Sequence, residues 1–562
     1  MEKRVFLAIV LSFLVLTVYQ AYFMPAPPVK PAPATTAGAA STATAPGAAA
    51  QNAPTAQAPE SKPASPKPTS AAPLVSDTAA HDIVVDTTKV RAVFSTQGAV
   101  LKSWRLKDYK DHNKEPLELV PSDLPEKYAR PFDLVTGNET VSAALRSALY
   151  RPSTTEPLEI GSGTGTLAFE YQDVSGLTAK KTFTFQPGGK AYIVDVDASL
   201  SVDGKPEAFS IAWGPAVGLG YSLEGSRYAY PAAAVHFRNG AIERPSIKNI
   251  TETPKYDGTW TFAGVGDQYF LSAVVPGSRQ MVVDYQPLEL PIPKDPEDKK
   301  RTFVSYGVQP QGTGGAVPFF MGPKDFDILR AINPDLVRAI NFGMFSWLVV
   351  PLLQALKWLN RFIGNFGVSI IALTAIINIV IFPLRHRSMV SMRKMQGLQP
   401  QIKAIQDRYK KYKVTDPERQ KMNTEMMALY KEKGVNPASG CVPMLLTMPV
   451  LFAFYAMLSA AIELRGAPFF GWIHDLSIHD PLYITPVLMG ATMFWQQRMM
   501  PSTADPVQQK IFLLMPLIFT FGFLWAPSGL VLYWLMSNLM AIGQQYATNR
   551  MIGAPARLAP KR

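Results

Sequence analysis

One cysteine, Cys441, stands among 562 residues, so the chain can make no internal disulfide and no thiolate metal cluster. Any exported domain must therefore hold together on its apolar core alone. Charge is scarce as well: 17% of residues are charged against 47% hydrophobic, a greasier balance than soluble proteins usually show. No phosphate-binding loop, nucleophile elbow or helical H-E-x-x-H occurs, which disfavours an enzyme. The stretch "WIHDLSIHDP" offers His474, Asp475, His479 and Asp480 as conceivable metal ligands. No third histidine accompanies them, so an interfacial loop satisfying its own backbone is the better reading, and no metal is expected.

What the chain does have is long apolar runs flanked by basic residues. Its net charge of +12 is concentrated beside those runs in the last third, which suits the inner rims of membrane helices better than nucleic acid, and no specific DNA partner is expected. Residues 1–24 put Lys3 and Arg4 before a membrane-length apolar run and predict an N-terminal transmembrane anchor with an inside N-terminus. No small-x-small cleavage site follows directly, which favours an uncleaved anchor. Residues 25–77 are rich in Pro, Ala, Thr and Ser and read as a disordered linker.

Residues 78–322 alternate apolar and polar with period two. In "KKTFTFQPGGKAYIVDVDASLSV" the alternation crosses Pro187-Gly188-Gly189, a hairpin signal, and similar patterns in "KVRAVFSTQGAVLKSWRL" and "RQMVVDYQPLEL" predict a large antiparallel all-β sandwich. Near residue 322 the pattern becomes helical. Residues 323–366 place Trp347, Leu352, Leu356 and Trp358 among Lys357, Asn360 and Arg361, as amphipathic interfacial helices do. Residues 367–384 form the second transmembrane helix. Residues 385–436 carry about a dozen basic against about five acidic residues, an inside marker, and predict a cytoplasmic helical hairpin with "VTDPER" between its arms. Thr415 and Glu418 in that connection have capping-box spacing. Residues 437–550 supply transmembrane helices three to six, the last two separated at Ala526-Pro527-Ser528-Gly529, and residues 551–562 are a basic tail. The sum is a polytopic α-helical membrane protein of six spans, both termini inside, with a large external β domain.

Within the second span Thr374, Asn378 and Arg385 recur at i, i+4 and i+11, one face of an ideal helix. Two readings fit them: a polar stripe lining a cavity open to the cytoplasm, or Asn378 bonding a neighbouring helix. Methionines crowd beyond residue 385, Met444, Met448, Met493 and Met515 among them, and as a set suit an apolar surface that accepts many sequences.

The stretches "GVSIIALTAIINIVIFPL", "MMALYKEKGVNPASGCVPMLLTMPV", "ELRGAPFFGWIHDLS", "DPLYITPVLMGATMFWQQRM" and "DPVQQKIFLLMPLIFTFGFLWAPSGLVLYWLMSN" resemble the core of the YidC-type membrane protein insertases. The resemblance spans about residues 340–550, and the anchor, linker and β domain resemble the long form found in bacteria with two membranes. It implies an insertase and chaperone of the inner membrane, without nucleotide or metal cofactor, acting on nascent membrane proteins from ribosomes, alone or beside the Sec translocon and its accessory subunits. The β domain would be a periplasmic supersandwich that matters less to insertion. A hydrophilic groove, open to cytoplasm and lipid, would be lined by Thr374, Asn378, Arg385, Gln496, Tyr533 and Trp534. The substrate's apolar helix would slide along Met448, Leu451, Phe519 and Phe523 into the phospholipid bilayer. Arg393, Lys394, Lys410, Lys411 and Lys413 would belong to the receiving hairpin, and Arg550, Arg557, Lys561 and Arg562 would meet the ribosome.

The chain departs from the family at two positions: Asn378 stands where an arginine is usual, and Trp534 where a tyrosine is common. Arg385, on the same face about 10 Å nearer the cytoplasm, is the candidate to supply the missing field. A transporter or channel would instead require two repeated halves with paired broken helices and intramembrane ionisable residues, which the sequence lacks. A membrane-anchored periplasmic scaffold would make the helices passive.

Overall fold

The computed structural model describes residues 72–111, 114–121, 128–215, 217–218, 232–291, 300–310, 315–412, 417–435, 442–499 and 506–552. The expected anchor, most of the linker, Thr415 with its capping box, Lys413, Cys441, Arg557, Lys561 and Arg562 lie outside the described residues.

Alternation builds the β domain. Leu177–Phe185 pairs antiparallel with Ile193–Val202, Phe183 opposite Val196, across a short 3-10 turn at Gly188–Lys190. Val90–Ser95 pairs with Val100–Lys110 through a turn where Gly98 and Ala99 have φ of 73° and 48°. Arg279–Pro291 runs against Lys300–Pro310. These strands belong to a 15-stranded and a 5-stranded sheet, antiparallel but for the pairing of Leu158–Ile160 with Asp82–Thr87. The inner faces meet: Phe94 of the smaller sheet lies 4.7 Å, ring centre to ring centre, from Phe183 of the larger, and Trp104 Nε1 donates to Met321 O at 3.0 Å. The result is a β-sandwich whose aromatic interior excludes water.

Not every inward position is apolar. Lys181 lies fully buried between Ala179 and Phe183 on the inner face, its ammonium donating to Gly98 O and Phe132 O at 2.7 Å and to Ala99 O at 3.2 Å. The Tyr150 ring lies 5.4 Å away. The three carbonyls replace the water such an ion loses on burial.

Helices follow the last strand, Val317–Pro323. Asp325 caps α1 (Phe326–Ile332), accepting from Asp327 N and Ile328 N. The amphipathic segment forms α2 (Ser346–Ile363), continuous through Pro351 and ended by Gly364 in the left-handed region. Val349, Leu352, Leu353 and Leu356 are buried, whereas Trp347, Trp358 and Phe362 stand outward, the two-sided pattern of a helix at an interface.

The helix α3 (Phe366–Gly397) is 32 residues long and does not stop at Leu384. Pro383 removes one rung of the hydrogen-bond ladder, and the basic residues beyond it are good helix formers with partners on another helix. The charged hairpin is accordingly shorter than the sequence suggests: α4 (Gln399–Arg408) and α5 (Pro417–Glu432), linked by Arg408 to Glu425 at 2.5 Å. Then come α6 (Val442–Ala460), α7 (Ile484–Met499), α8 (Pro506–Phe523) and α9 (Ser528–Ile552), with the break between the last two where Pro527 directs it. Among the described residues α3 alone is long and apolar enough, by length and composition, to cross a membrane; α6 and α8 carry shorter apolar stretches, Met448–Ala460 and Leu513–Phe523.

Candidate functional site

Asn365 starts α3 by accepting from Val368 N, and its side-chain amide donates to Phe469 O at 2.8 Å, which fixes the helix's rotation at this end. The face so presented to α9 is polar. Ser369, Thr374 and Asn378 are buried, while Ile376, Ile379 and Val380 point outward. Thr374 Oγ1 donates to Ile370 O at 2.6 Å and Asn378 Nδ2 to Thr374 O at 2.8 Å. Hydroxyl and amide are thereby satisfied on their own helix, which is how an apolar environment tolerates them.

The Arg385 side chain turns back along α3. It donates to Asn378 Oδ1 at 3.3 Å and to Gln544 Oε1 of α9 at 3.0 Å, while Gln544 Nε2 donates to Asn378 O at 2.8 Å. A closed ring of Asn378, Arg385 and Gln544 results. These partners of the guanidinium are neutral amide oxygens, so they orient the positive charge without cancelling it. Asn378 thus shares a face with Thr374 and Arg385, and its backbone carbonyl is tied to the neighbouring α9.

The ladder continues beyond the apolar region. His386 Nδ1 pairs with Thr548 Oγ1 at 3.1 Å, and Arg393 donates to Asn549 Oδ1 at 2.7 Å. Arg393 and exposed Lys394 therefore extend α3 rather than the hairpin, whose described basic residues include exposed Lys410 and Lys411. On α7, Gln496 is half-buried, and Asn538 of α9 donates to Met489 O and Thr492 Oγ1, both at 3.3 Å.

Tyr533 and Trp534 diverge, as neighbours on a helix must. Tyr533 is buried and stacked on Phe454 of α6 at 4.2 Å. Trp534 lies 5.6 Å from Phe519 and 4.9 Å from Phe523, so the structure brings it to the expected sliding residues of α8 rather than to Asn378. Met448 is exposed and Leu451 half-buried on α6. Arg550 is exposed at the end of α9. In the loop before α7, Asp480 accepts from Trp472 Nε1, Leu482 N and both Thr485 N and Oγ1 at 2.8–2.9 Å, and Asp475 accepts from Ser477 N and Oγ. These carboxylates hold a loop together.

A family model described as 60Kd inner membrane protein matches residues 358–555, and one for the YidC periplasmic domain matches residues 82–355. The membrane protein insertase YidC of Syntrophus aciditrophicus is 36% identical, over 98% of this chain and 100% of its own length. That of Geobacter sulfurreducens is 38% identical over 98% and 99%. The chain belongs to the YidC family. Its sandwich is the family's periplasmic β domain and its helical part the inner-membrane core. A crystal structure of an active YidC insertase with its first transmembrane domain resolved is 18% identical, covering 85% of this chain and 95% of that one at a TM-score of 0.34. Membership rests on the sequence matches.

Sequence reasoning missed Gln544, Asn538, Thr548 and Asn549, the YidC core's α9 contribution to this polar seam. Their recurrence along "NLMAIGQQYATN", with Gln544 six residues after Asn538 and Thr548 four after Gln544, was a usable signal, for it puts polar side chains on successive turns of one helix.

Proposed function

We propose that the chain inserts and helps fold integral membrane proteins in the inner membrane, receiving them at the cytoplasmic mouth of a groove between α3 and α9. The observation that carries this reading is the seam of buried Thr374, Asn378 and Gln544 with half-buried Arg385 between otherwise apolar stretches of α3 and α9. A polar segment moved into hydrocarbon without partners costs roughly 2–7 kcal/mol per group, and a wet recess that shortens the apolar path lowers that barrier without ATP. The substrate's own apolar helix then partitions into lipid past Met448, Leu451, Phe519 and Phe523. Six spans with both termini cytoplasmic, basic α4 and α5 as receivers, ribosome contact through Arg550 and the basic tail, and cooperation with the Sec translocon complete the proposal.

Arg385 takes the part that a groove arginine plays elsewhere in the family. Asn378 and Gln544 point its guanidinium into the recess, where reduced screening lengthens its reach. The purified chain in liposomes is expected to bring a one-span substrate into protease protection. With an acidic exported tail on that substrate, Arg385→Ala is expected to lower the yield about tenfold, near 1.4 kcal/mol, and Asn378→Arg to raise it. Undiminished insertion by the alanine variant would sink the electrostatic role; no protection with the unaltered chain would sink the insertase reading.

A further inference from the structure

The loop between α6 and α7, residues 461–483, is where the outer ends of the core meet. Ser528 N and Oγ donate to Ile478 O, both at 2.7 Å, and Gly529 N to Leu476 O at 3.0 Å, so the loop is stitched to the start of α9. Asn365 holds Phe469 O at the start of α3, and a Cβ at Gly367 would lie 2.2 Å from the Phe469 ring. Lys357 of α2 donates to Glu463 at 3.0 Å and bridges to Asp327 of α1 at 2.6 Å. Ile473 and Leu476 are buried beneath these ties.

The β domain grips the same loop. Its turn at residues 267–270 is stiffened by Asp267 Oδ1, which accepts from Tyr269 N and Phe270 N, and by buried Lys324, which donates to Asp267 O at 2.6 Å. From this turn Gln268 Nε2 donates to Ser459 O at the outer end of α6. In return Arg465 donates to Lys110 O at 3.0 Å and sets its guanidinium 5.2 Å from the centre of the Phe270 ring. A half-buried arginine that combines a hydrogen bond with an aromatic face holds orientation as well as distance.

We infer that the periplasmic domain is a fixed buttress bolted by Arg465 to the loop that closes the outer end of the groove, with Gln268 only marking where it meets α6, and that it stays docked while a substrate is inserted. The inference rests on the insertase reading. It makes Arg465 a positioning residue, and it means that substrates leave sideways into lipid without displacing the outer loop.

The test uses the full chain with Cys441→Ala, Gln268→Cys and Ser459→Cys in liposomes, bridged by a short bis-methanethiosulfonate that reductant removes. The bridge is expected to form in high yield and to leave insertion of a one-span substrate within about twofold of the unbridged sample. Insertion lost on bridging and restored by reductant overturns the fixed buttress, and failure of the bridge to form overturns the docking itself. Adding Arg465→Ala is expected to cut bridging yield several-fold, with Arg465→Lys recovering part of it; unchanged yield overturns the role of Arg465. The unbridged sample separately tests whether the chain inserts proteins at all.

Discussion

The two halves of this molecule both bury apolar side chains, but they differ in what they leave outside. In the periplasmic domain Phe94, Phe183 and Val196 lie inside and the lysines and acids of the same strands mostly outside. In the core, Val380 is 73% exposed and Ile379 61% exposed, whereas Thr374 is fully buried. Apolar side chains that the sandwich hides can stand outside on α3 because water surrounds one half and hydrocarbon the other. Each half also carries a basic side chain turned inward, and the difference in partners between Lys181 and Arg385 is instructive. Lys181 is surrounded by three backbone carbonyls and serves the fold. Arg385 rests on two side-chain amides, which can rotate away as backbone carbonyls cannot.

The largest effect that would break this comparison is a core truncation. Phe94→Ala removes a fully buried ring from the sandwich and is expected to destabilise the periplasmic domain by about 3–5 kcal/mol, read as a shift in its urea midpoint. Val380→Ala removes a lipid-facing side chain and should stay within about 0.5 kcal/mol. Comparable losses from the two would mean that Val380 is packed against protein.

Next comes the pH response of Lys181. Burial pulls its ammonium down to about 8, and burial does the same to Lys324, against an ordinary value of 10.5. Between pH 8 and 10 the unfolded chain therefore holds more protons than the folded one at both sites, so stability rises with pH, by about 2 kcal/mol per lysine. Above pH 10 the sign reverses. Burial holds Tyr109, Tyr150 and Tyr306 protonated in the fold while unfolded tyrosines ionise. Lys181→Met should remove about half of the rise between pH 8 and 10, along with a general loss of stability from three unpartnered carbonyls. A full rise in that variant would place the titration elsewhere.

Asn378→Leu probes the other half. It deletes one acceptor of Arg385 and the donor to Thr374 O, and is expected to lower insertion of a substrate with a polar exported tail about tenfold. The unfolding midpoint of the β domain should not move. A matching loss for a substrate without such a tail would assign Asn378 to packing.

How far these features could be read from sequence follows the range of the interactions. The inward register of Phe183 and Phe185 was legible from alternation, a local property. Lys181 has the same register, yet its partners lie 49–83 residues away in sequence, and nothing in the strand announces them. The common face of Thr374, Asn378 and Arg385 was legible from helical spacing, but Gln544, 166 residues beyond Asn378, was not. Pro383 followed by basic residues looked like a helix exit. It is a single missing rung, because His386 and Arg393 find partners on α9 that only the fold supplies. The split of Tyr533 from Trp534 needed the positions of Phe454, Phe519 and Phe523.

The smallest expected effect concerns the proposed sliding surface of Met448, Leu451, Phe519 and Phe523. Met448 is 37% exposed on α6. Leucine has nearly the same volume and greater stiffness, so Met448→Leu should leave stability and the insertion of a leucine-rich span within about twofold. The variant should do worse as the substrate helix becomes bulkier or more β-branched, since an unbranched side chain re-packs against shapes that a branched one resists. Insertion yields across a series of Leu-, Val- and Phe-rich spans would measure that spread. A uniform response across the series would return Met448 to the role of packing residue and leave Phe519 and Phe523, with Trp534 behind them, as the wall that substrates touch.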